Sequence, residues 1–326
     1  MNRRDAILAF IGLAIGSQAS NAQQPRKVWR IGVLTDDDTI SPPNHYFLVP
    51  PIIKRMRELG YVEDRDYVME YRFADHNIVR LPVLAAELVA LRVDLIISVG
   101  TPSSIAARDA TREIPIVFTV GDPVGVGLVK NLGRPGGNLT GNSSQSEVIP
   151  KLLDLLRQVV PRMSRVGFLH DSKNASAVLT KTRLESACKE LGVRLIPATM
   201  STSDEIDKAF VHLKREKAQG LVVSYGGIMA AARQRIIESA ANYRLPAIYF
   251  GDEYVDSGGL ISYSPNDDNT PQIADYVDKI LKGAKPGDLP IAQPTTFELV
   301  INRKTAKALG LTIPQSLLIG ATRVIE

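Results

Sequence analysis

The chain of 326 residues is 44% hydrophobic and carries 39 Lys and Arg against 35 Asp and Glu, for a formal net charge of +4. That length suits two packed domains better than one core, and the apolar fraction excludes a disordered or fibrous chain. A charge so near balance, with basic residues scattered and no run beyond pairs such as Arg26-Lys27, excludes a nucleic-acid footprint. The one cysteine, Cys188, excludes an internal disulfide and, lying in a helical pattern, is expected in a core.

The first 22 residues read as an export signal. Arg3-Arg4 precede an apolar stretch from Ala6 to Ile15, and a polar segment then ends in Ser20-Asn21-Ala22, a small-x-small cleavage pattern. Cutting after Ala22 removes Arg3, Arg4 and Asp5 and leaves +3. The apolar run is too short for a permanent span, and no later stretch reaches the ~20 residues a bilayer requires. No cysteine follows it to carry a lipid anchor. The twin arginines leave the export route open, because Ala6 stands where a strong twin-arginine signal has a bulky apolar residue.

In the mature chain, Trp29 to Leu34 predicts a buried strand, and a helix from Pro51 to Leu59 follows, with prolines suiting its first turn and Gly60 its stop. Tyr67 to Phe73 alternates like a strand, Leu81 to Leu91 has helical spacing, and Asp94 to Val99 is a continuous apolar strand. A helix from Ser103 to Ala110 and a strand from Ile116 to Val120 complete a first unit. The turn formers Arg134-Pro135-Gly136-Gly137-Asn138-Leu139-Thr140-Gly141 then break the rhythm before a helix from Ile149 to Val159. The second unit places strands at Arg165 to Leu169, Arg194 to Ala198, Gly220 to Ser224 and Ala247 to Phe250, with helices between. Gly259 to Tyr263, a helix from Thr270 to Leu281, a strand from Phe297 to Ile301 and a helix from Lys304 to Leu309 close the chain.

The two units repeat one another. Ile114-Pro115-Ile116-Val117-Phe118-Thr119-Val120-Gly121-Asp122 returns as Leu245-Pro246-Ala247-Ile248-Tyr249-Phe250-Gly251-Asp252, and Arg57-Glu58-Leu59-Gly60 as Lys189-Glu190-Leu191-Gly192. Strictly alternating strands and helices, with strands apolar on both faces, belong to parallel sheets covered by helices. The expected fold is therefore α/β, with two doubly wound parallel-sheet lobes joined by a hinge of three crossings. Lobe I takes residues 28–142 and 264–288, and lobe II takes 143–263 and 289–326.

Ligands of such sheets bind beyond the carboxyl ends of the strands, where helix N-termini and loop amides point into the crevice. From lobe I those ends offer Thr35, Asp36, Thr101, Ser103 and Thr119. From lobe II they offer Asp171, Asn174, Tyr225 and Asp252. Thr101 and Ser103 flank Pro102 at a helix start and fit either an anion grip or a plain helix cap. Tyr225 fits a ligand-facing ring or a core aromatic, and Asp252 an ammonium partner or a turn former. His45, His76, His170 and His212 lack metal-ligand spacing, no Gly-x-Ser-x-Gly elbow is present, and Gly125-Val126-Gly127 lacks the third glycine of a dinucleotide fingerprint. Neither a metal, a cofactor nor a catalytic set is expected.

Val28-Trp29-Arg30-Ile31-Gly32, Gly100-Thr101-Pro102, the run from Ile114 to Val129, Tyr276-Val277-Asp278-Lys279-Ile280-Leu281-Lys282-Gly283 and Phe297-Glu298-Leu299-Val300-Ile301-Asn302-Arg303 carry a family resemblance. By them the chain resembles the substrate-binding component of ABC transporters, the periplasmic type I binding proteins with members for aromatic amino acids. The resemblance implies that Thr101 and Thr119 hold a carboxylate and that Asp252 and Tyr225 take the remainder of an amino acid or related carboxylate. It also implies a periplasmic, monomeric protein that hands its ligand to an inner-membrane ABC permease. The chain departs from the family between Thr35 and Pro51, where Asp36-Asp37-Asp38 suits a cationic group. Two other readings remain: a sensor module that signals to a receptor, and an exported α/β enzyme.

Overall fold

The computed structural model describes residues 27–37, 49–144, 148–265 and 270–326. The export segment with its cleavage site at Ala22, Asp38 of the acidic triple and Asn266 lie outside the described residues. The chain builds two sheets, each covered by helices on both faces.

The first sheet is formed by β1 (Trp29–Thr35), β2 (Tyr67–Phe73), β3 (Leu95–Val99), β4 (Ile116–Val120) and β5 (Leu139–Ser143), interleaved with α1 (Val49–Glu58), α2 (Leu81–Ala90) and α3 (Thr101–Ala110). Its order is β2-β1-β3-β4-β5 and every pairing is parallel. The second lobe opens with α4 (Val148–Val159), then β6 (Arg165–His170), α5 (Ala175–Glu190), β7 (Arg194–Thr199), α6 (Ile206–Arg215) and β8 (Gly220–Val223). It continues with α7 (Gly227–Ala231), α8 (Arg233–Asn242), β9 (Ala247–Tyr249), α9 (Glu253–Asp256) and β10 (Ile261–Pro265). Helix α10 (Pro271–Leu281) returns to the first lobe, where Ile273, Val277 and Ile280 join the core with Val49, Ile52 and Met56 of α1. Strand β11 (Phe297–Asn302), α11 (Arg303–Leu309), α12 (Gln315–Gly320) and β12 (Arg323–Ile325) finish the second lobe, whose sheet order is β12-β11-β10-β9-β8-β6-β7.

One pairing departs from the parallel pattern: β11 runs antiparallel to β10, with Pro265 opposite Phe297. The chain leaves the second sheet at the end of β10 and re-enters it at the start of β11, both at the edge facing the first lobe, so the two strands must run in opposite directions. Hydrogen bonds extend both sheets close to the crossings. Ser143 still pairs with Val120, Ser264 and Pro265 still pair in the second sheet, and Ala292 still donates to Gly141 of β5. We propose from these bonds that each passage between lobes ends a few residues beyond the limits expected at 142/143, 263/264 and 288/289.

Strand β5 is not among the strands expected from the sequence. Its residues, Leu139-Thr140-Gly141-Asn142-Ser143, read as a turn, yet all five are buried. Tertiary partners compensate its polar side chains: Thr140 Oγ1 donates to Leu289 O at 2.9 Å and Ser143 Oγ to Gly121 O at 2.9 Å. The internal repeat has a packing basis. Gly32 of β1 and Gly167 of β6 occupy equivalent places, and a Cβ there would lie 3.0 Å from Leu88 Cδ1 and 2.5 Å from Leu213 Cδ2. In each lobe a bare strand position lets a covering helix press onto the sheet. Cys188 is buried in the second core.

Candidate ligand site between the lobes

The carboxyl ends of both sheets face one cleft, and the lobes touch across it. Asp36, directly after β1, is 8% exposed. A Cβ on Gly100 would lie 3.1 Å from its Oδ1, and one on Gly227 of the opposite lobe 2.9 Å from its Oδ2. Glycine at both positions leaves the acid room, and Gly100 has a φ of 88°, which a side chain would strain. Burial pushes the Asp36 carboxyl up to about 7, and Asp37 and Asp171 add to the shift against the backbone amides of Asp36 and Gly227. An acid from each lobe thus contributes negative charge near Asp36, which suits a cation there.

The turn carrying Asp36 is braced. Thr35 Oγ1 donates to Asp37 Oδ2 at 3.0 Å, so the Thr35 hydroxyl is used within its own turn. The N–H groups of Asp75 and His76 donate to the carbonyls of Asp37 and Asp36 at 3.0 and 2.7 Å. Both donors adopt left-handed backbone, with φ of 52° and 57°, at a cost of about 1 kcal/mol or more each. That conformation also brings His76 to the lobe interface: its Nδ1 would be 3.3 Å from a Cβ on Gly227. Sequence spacing gives no reason to single out His76, because its position depends on this local backbone and on the second lobe.

Helix α3 begins at Thr101, with Gly100 as the cap residue and no side-chain cap hydrogen bond. Neither Thr101 nor Ser103 is therefore a helix cap. Both are buried, and Ser103 Oγ has no hydrogen-bond partner among the described residues. A buried hydroxyl on the first turn of a helix that starts at a strand end matches the demands of an anion. Thr119, half-buried in β4, pairs in register with Asn142 of β5.

From the second lobe, Asp171 Oδ1 accepts from Lys173 N–H and Ser201 Oγ, both at 2.9 Å. Asn174 caps α5 by accepting from Ser176 N–H at 3.0 Å, and its Nδ2 lies toward Gly226. Tyr225 is 50% exposed, its ring tilted over Phe250 with centroids 5.7 Å apart, so it is an exposed ring at the strand end and not a core aromatic. Asp252 is placed differently: its carboxylate pairs with Arg323 of β12 at 3.1 Å, within its own lobe. The structure thus brings Asp36, Thr101, Ser103, Asp171, Asn174 and Tyr225 to the facing edges of the two sheets and gives Asp252 an internal partner. The counterpart acid, Asp122, instead bridges the lobes by pairing with Arg183 of α5. A Cβ on Gly125 would meet Leu179 of α5 at 2.4 Å, so this contact also needs a glycine.

Among the described residues no group of three or more His, Cys, Asp or Glu is arranged to hold a metal ion, and no helix is long and apolar enough to cross a membrane. Two wound lobes that close over a polar cleft define a ligand-binding protein of the two-lobed α/β type. The sequence profile of ABC transporter substrate binding proteins matches residues 37–325, and the chain belongs to that family. It is similar to a tyrosine-binding protein of Clostridioides difficile (strain R20291), with 28% identity over 304 residues that span 91% of this chain and 86% of the other. It also resembles a conserved domain protein of Vibrio cholerae, with a TM-score of 0.85 and 29% identity over 91% of this chain and all of that one. An ABC domain of Streptococcus pneumoniae in complex with L-Trp gives a TM-score of 0.83 and 26% identity over 92% of this chain and all of that one.

Proposed function

We propose that this protein is an exported, periplasmic binding protein that traps an amino acid, of the aromatic class, between its lobes and delivers it to an ABC permease. The observation that carries this reading is that acids and a hydroxyl-bearing helix start occupy different parts of the cleft. Buried Asp36 of the first lobe feels the charge of Asp171 of the second, while the first turn of α3 offers the buried hydroxyls of Thr101 and Ser103. An α-amino acid has an ammonium for the first and a carboxylate for the second, and Tyr225 offers a ring face to its side chain. The tyrosine- and tryptophan-binding relatives support the same class.

Binding requires no covalent step. Ligand docks on one lobe, the second closes by rotation about the crossings, and the closed form engages the permease. Isothermal titration of purified protein with the twenty amino acids, and with sugars and nucleosides, tests this reading. Micromolar or tighter binding of one or more aromatic amino acids is expected, with scattering that shows compaction on saturation. Binding confined to sugars or nucleosides, or turnover of the titrant, would refute it.

A further inference from the structure

Basic residues that lie scattered along the sequence are gathered by the fold at one pole of the second lobe. Strands β7, β6, β8 and β9 run parallel, so the four helix-to-strand connections that precede them all lie at the amino ends of the strands, the edge away from the cleft. Hydrogen bonds join these connections: Arg194 N–H donates to Ser164 O at 2.9 Å, and Ser164 N–H to Gln219 Oε1 at 2.8 Å. On this edge Arg162, Arg194, Lys214, Arg215, Lys217 and Arg244 are exposed. Lys189 and Glu190 offset each other, and the one further acid of these connections, Glu216, lies 3.0 Å from Arg194 and 3.7 Å from Arg215. Arg162, Lys217 and Arg244 have no ion-pair partner among the described residues.

Helix C-termini favour basic residues through the macrodipole in any protein, and the repeated architecture supplies the control. At the matching edge of the first lobe the connection before β2 reads Glu63-Asp64-Arg65-Asp66, and Glu113 follows Arg112 before β4. The two lobes share one fold but not this charge, so helix geometry alone does not account for it. Apolar side chains also stand among the charges. Leu191, before β7, is 42% exposed, and Val211, one turn before Lys214 and Arg215 on α6, is 56% exposed. Tyr243, before β9, is exposed, with Lys214 Nζ 5.5 Å from its ring centre. A linear polyanion asks only for a track of charge. Lys and Arg spread over four connections and mixed with Leu, Val and Tyr suit a lipid headgroup layer, where the bases meet anionic phosphates and the apolar tips reach the acyl boundary.

We infer that this pole of the second lobe is a docking surface for an anionic phospholipid bilayer. The amino ends of the strands then lie on the membrane while the cleft, at the opposite edge of the sheet, stays open to the aqueous side, so the protein collects ligand while it is held at the surface. Each Lys or Arg close to an anionic bilayer strengthens such binding about fivefold, and salt weakens it. This docking is independent of which ligand the cleft takes.

The mature chain is sedimented with vesicles of phosphatidylcholine alone and of phosphatidylcholine and phosphatidylglycerol in equal parts, at low and high salt. The wild type is expected to bind the anionic vesicles only, and less at high salt. K214E/K217E/R244E should lower the partition about a hundredfold, whereas R57E/R92E/R112E, the same change of charge at the matching edge of the first lobe, should stay within about threefold of wild type. L191S should bind severalfold less tightly with an unchanged salt dependence. Melting temperatures check that each variant is folded, and K214Q/K217Q/R244Q, with a smaller loss in the same direction, replaces the charge reversal if that variant melts early. Absent wild-type binding to the anionic vesicles, or equal losses in the two triple variants, would overturn the docking surface. So would an L191S that binds as wild type does while a heparin column retains the protein, which would assign the pole to a linear polyanion.

Discussion

Replacing Asp36 by asparagine separates the cost of this buried acid from its use. Its carboxyl, ordinarily at 3.8, is held at about 7 in the folded protein. The folded state therefore keeps a proton that the unfolded chain has lost between about pH 4 and 7, and stability falls as pH rises through that window. At neutral pH and above, the difference between the two values corresponds to about 4 kcal/mol of destabilisation. The amide of D36N keeps the shape and has no charge, so the stability of the variant should lack this slope. With an unfolding entropy of about 2 cal/mol/K per residue, 4 kcal/mol in a chain of this size is worth about 6 °C. Ligand-free D36N should melt about that much higher than wild type at pH 8 and within a degree or two of it at pH 4.5. Ligand affinity should move the other way. An ammonium group needs the ionised acid, so wild-type affinity should rise about tenfold from pH 5 to 6 and level off above 7, while D36N binds weakly and without that slope. Differential scanning calorimetry and titration calorimetry across this range read both arms. Parallel melting curves for the two proteins, or tighter amino-acid binding by D36N, would refute the reasoning.

The contact between Arg183 and Asp122 should bias the empty protein toward closure; at about 0.5–1 kcal/mol for a partly exposed pair, R183A should shift the balance toward open forms two- to fivefold. G125V, whose side chain would meet Leu179 and Asp122, should open it further, and a radius of gyration unchanged in both variants would discount the contact. At Gly141 a Cβ would fall 2.0 Å from Phe118 O, so G141A should cost at least about 3 kcal/mol, seen as a lower denaturation midpoint; a near-neutral result would mean that β5 is not held as tightly as its contacts imply. Cys188 is 1% exposed and burial pushes its thiol up to about 11, so an aromatic disulfide reagent should label it only after unfolding. Rapid labelling of the native protein would contradict that burial.

Periodicity and repetition made the architecture legible. Strands apolar on both faces, helices opened by Pro82 and Pro102, and the recurring Gly-Asp after β4 and β9 are local signals, and local signals survive in a sequence because each strand or helix must satisfy its own backbone. The strand ends likewise named residues for the proposed ligand site, of which Asp36, Thr101, Ser103, Asp171, Asn174 and Tyr225 lie at the facing sheet edges, whereas the Thr35 hydroxyl is used in its own turn and Asp252 pairs with Arg323. What remained closed to that reading depended on neighbours distant in the chain. Strand β5 was hidden because Thr140, Asn142 and Ser143 look like turn residues until Leu289, Ala292 and Gly121 supply their partners. Asp122 and Asp252 are equivalents in the repeat, yet one bridges the lobes through Arg183 and the other binds Arg323 inside its own lobe, because the guanidinium that reaches each is set by packing. The same holds for His76, which its left-handed backbone brings toward Gly227 of the other lobe. Residue type and spacing determined the two wound lobes and the edge at which they face each other, whereas burial, and hence which polar groups there lack a partner, was decided only when the tertiary structure brought helices and strands from separate parts of the chain together.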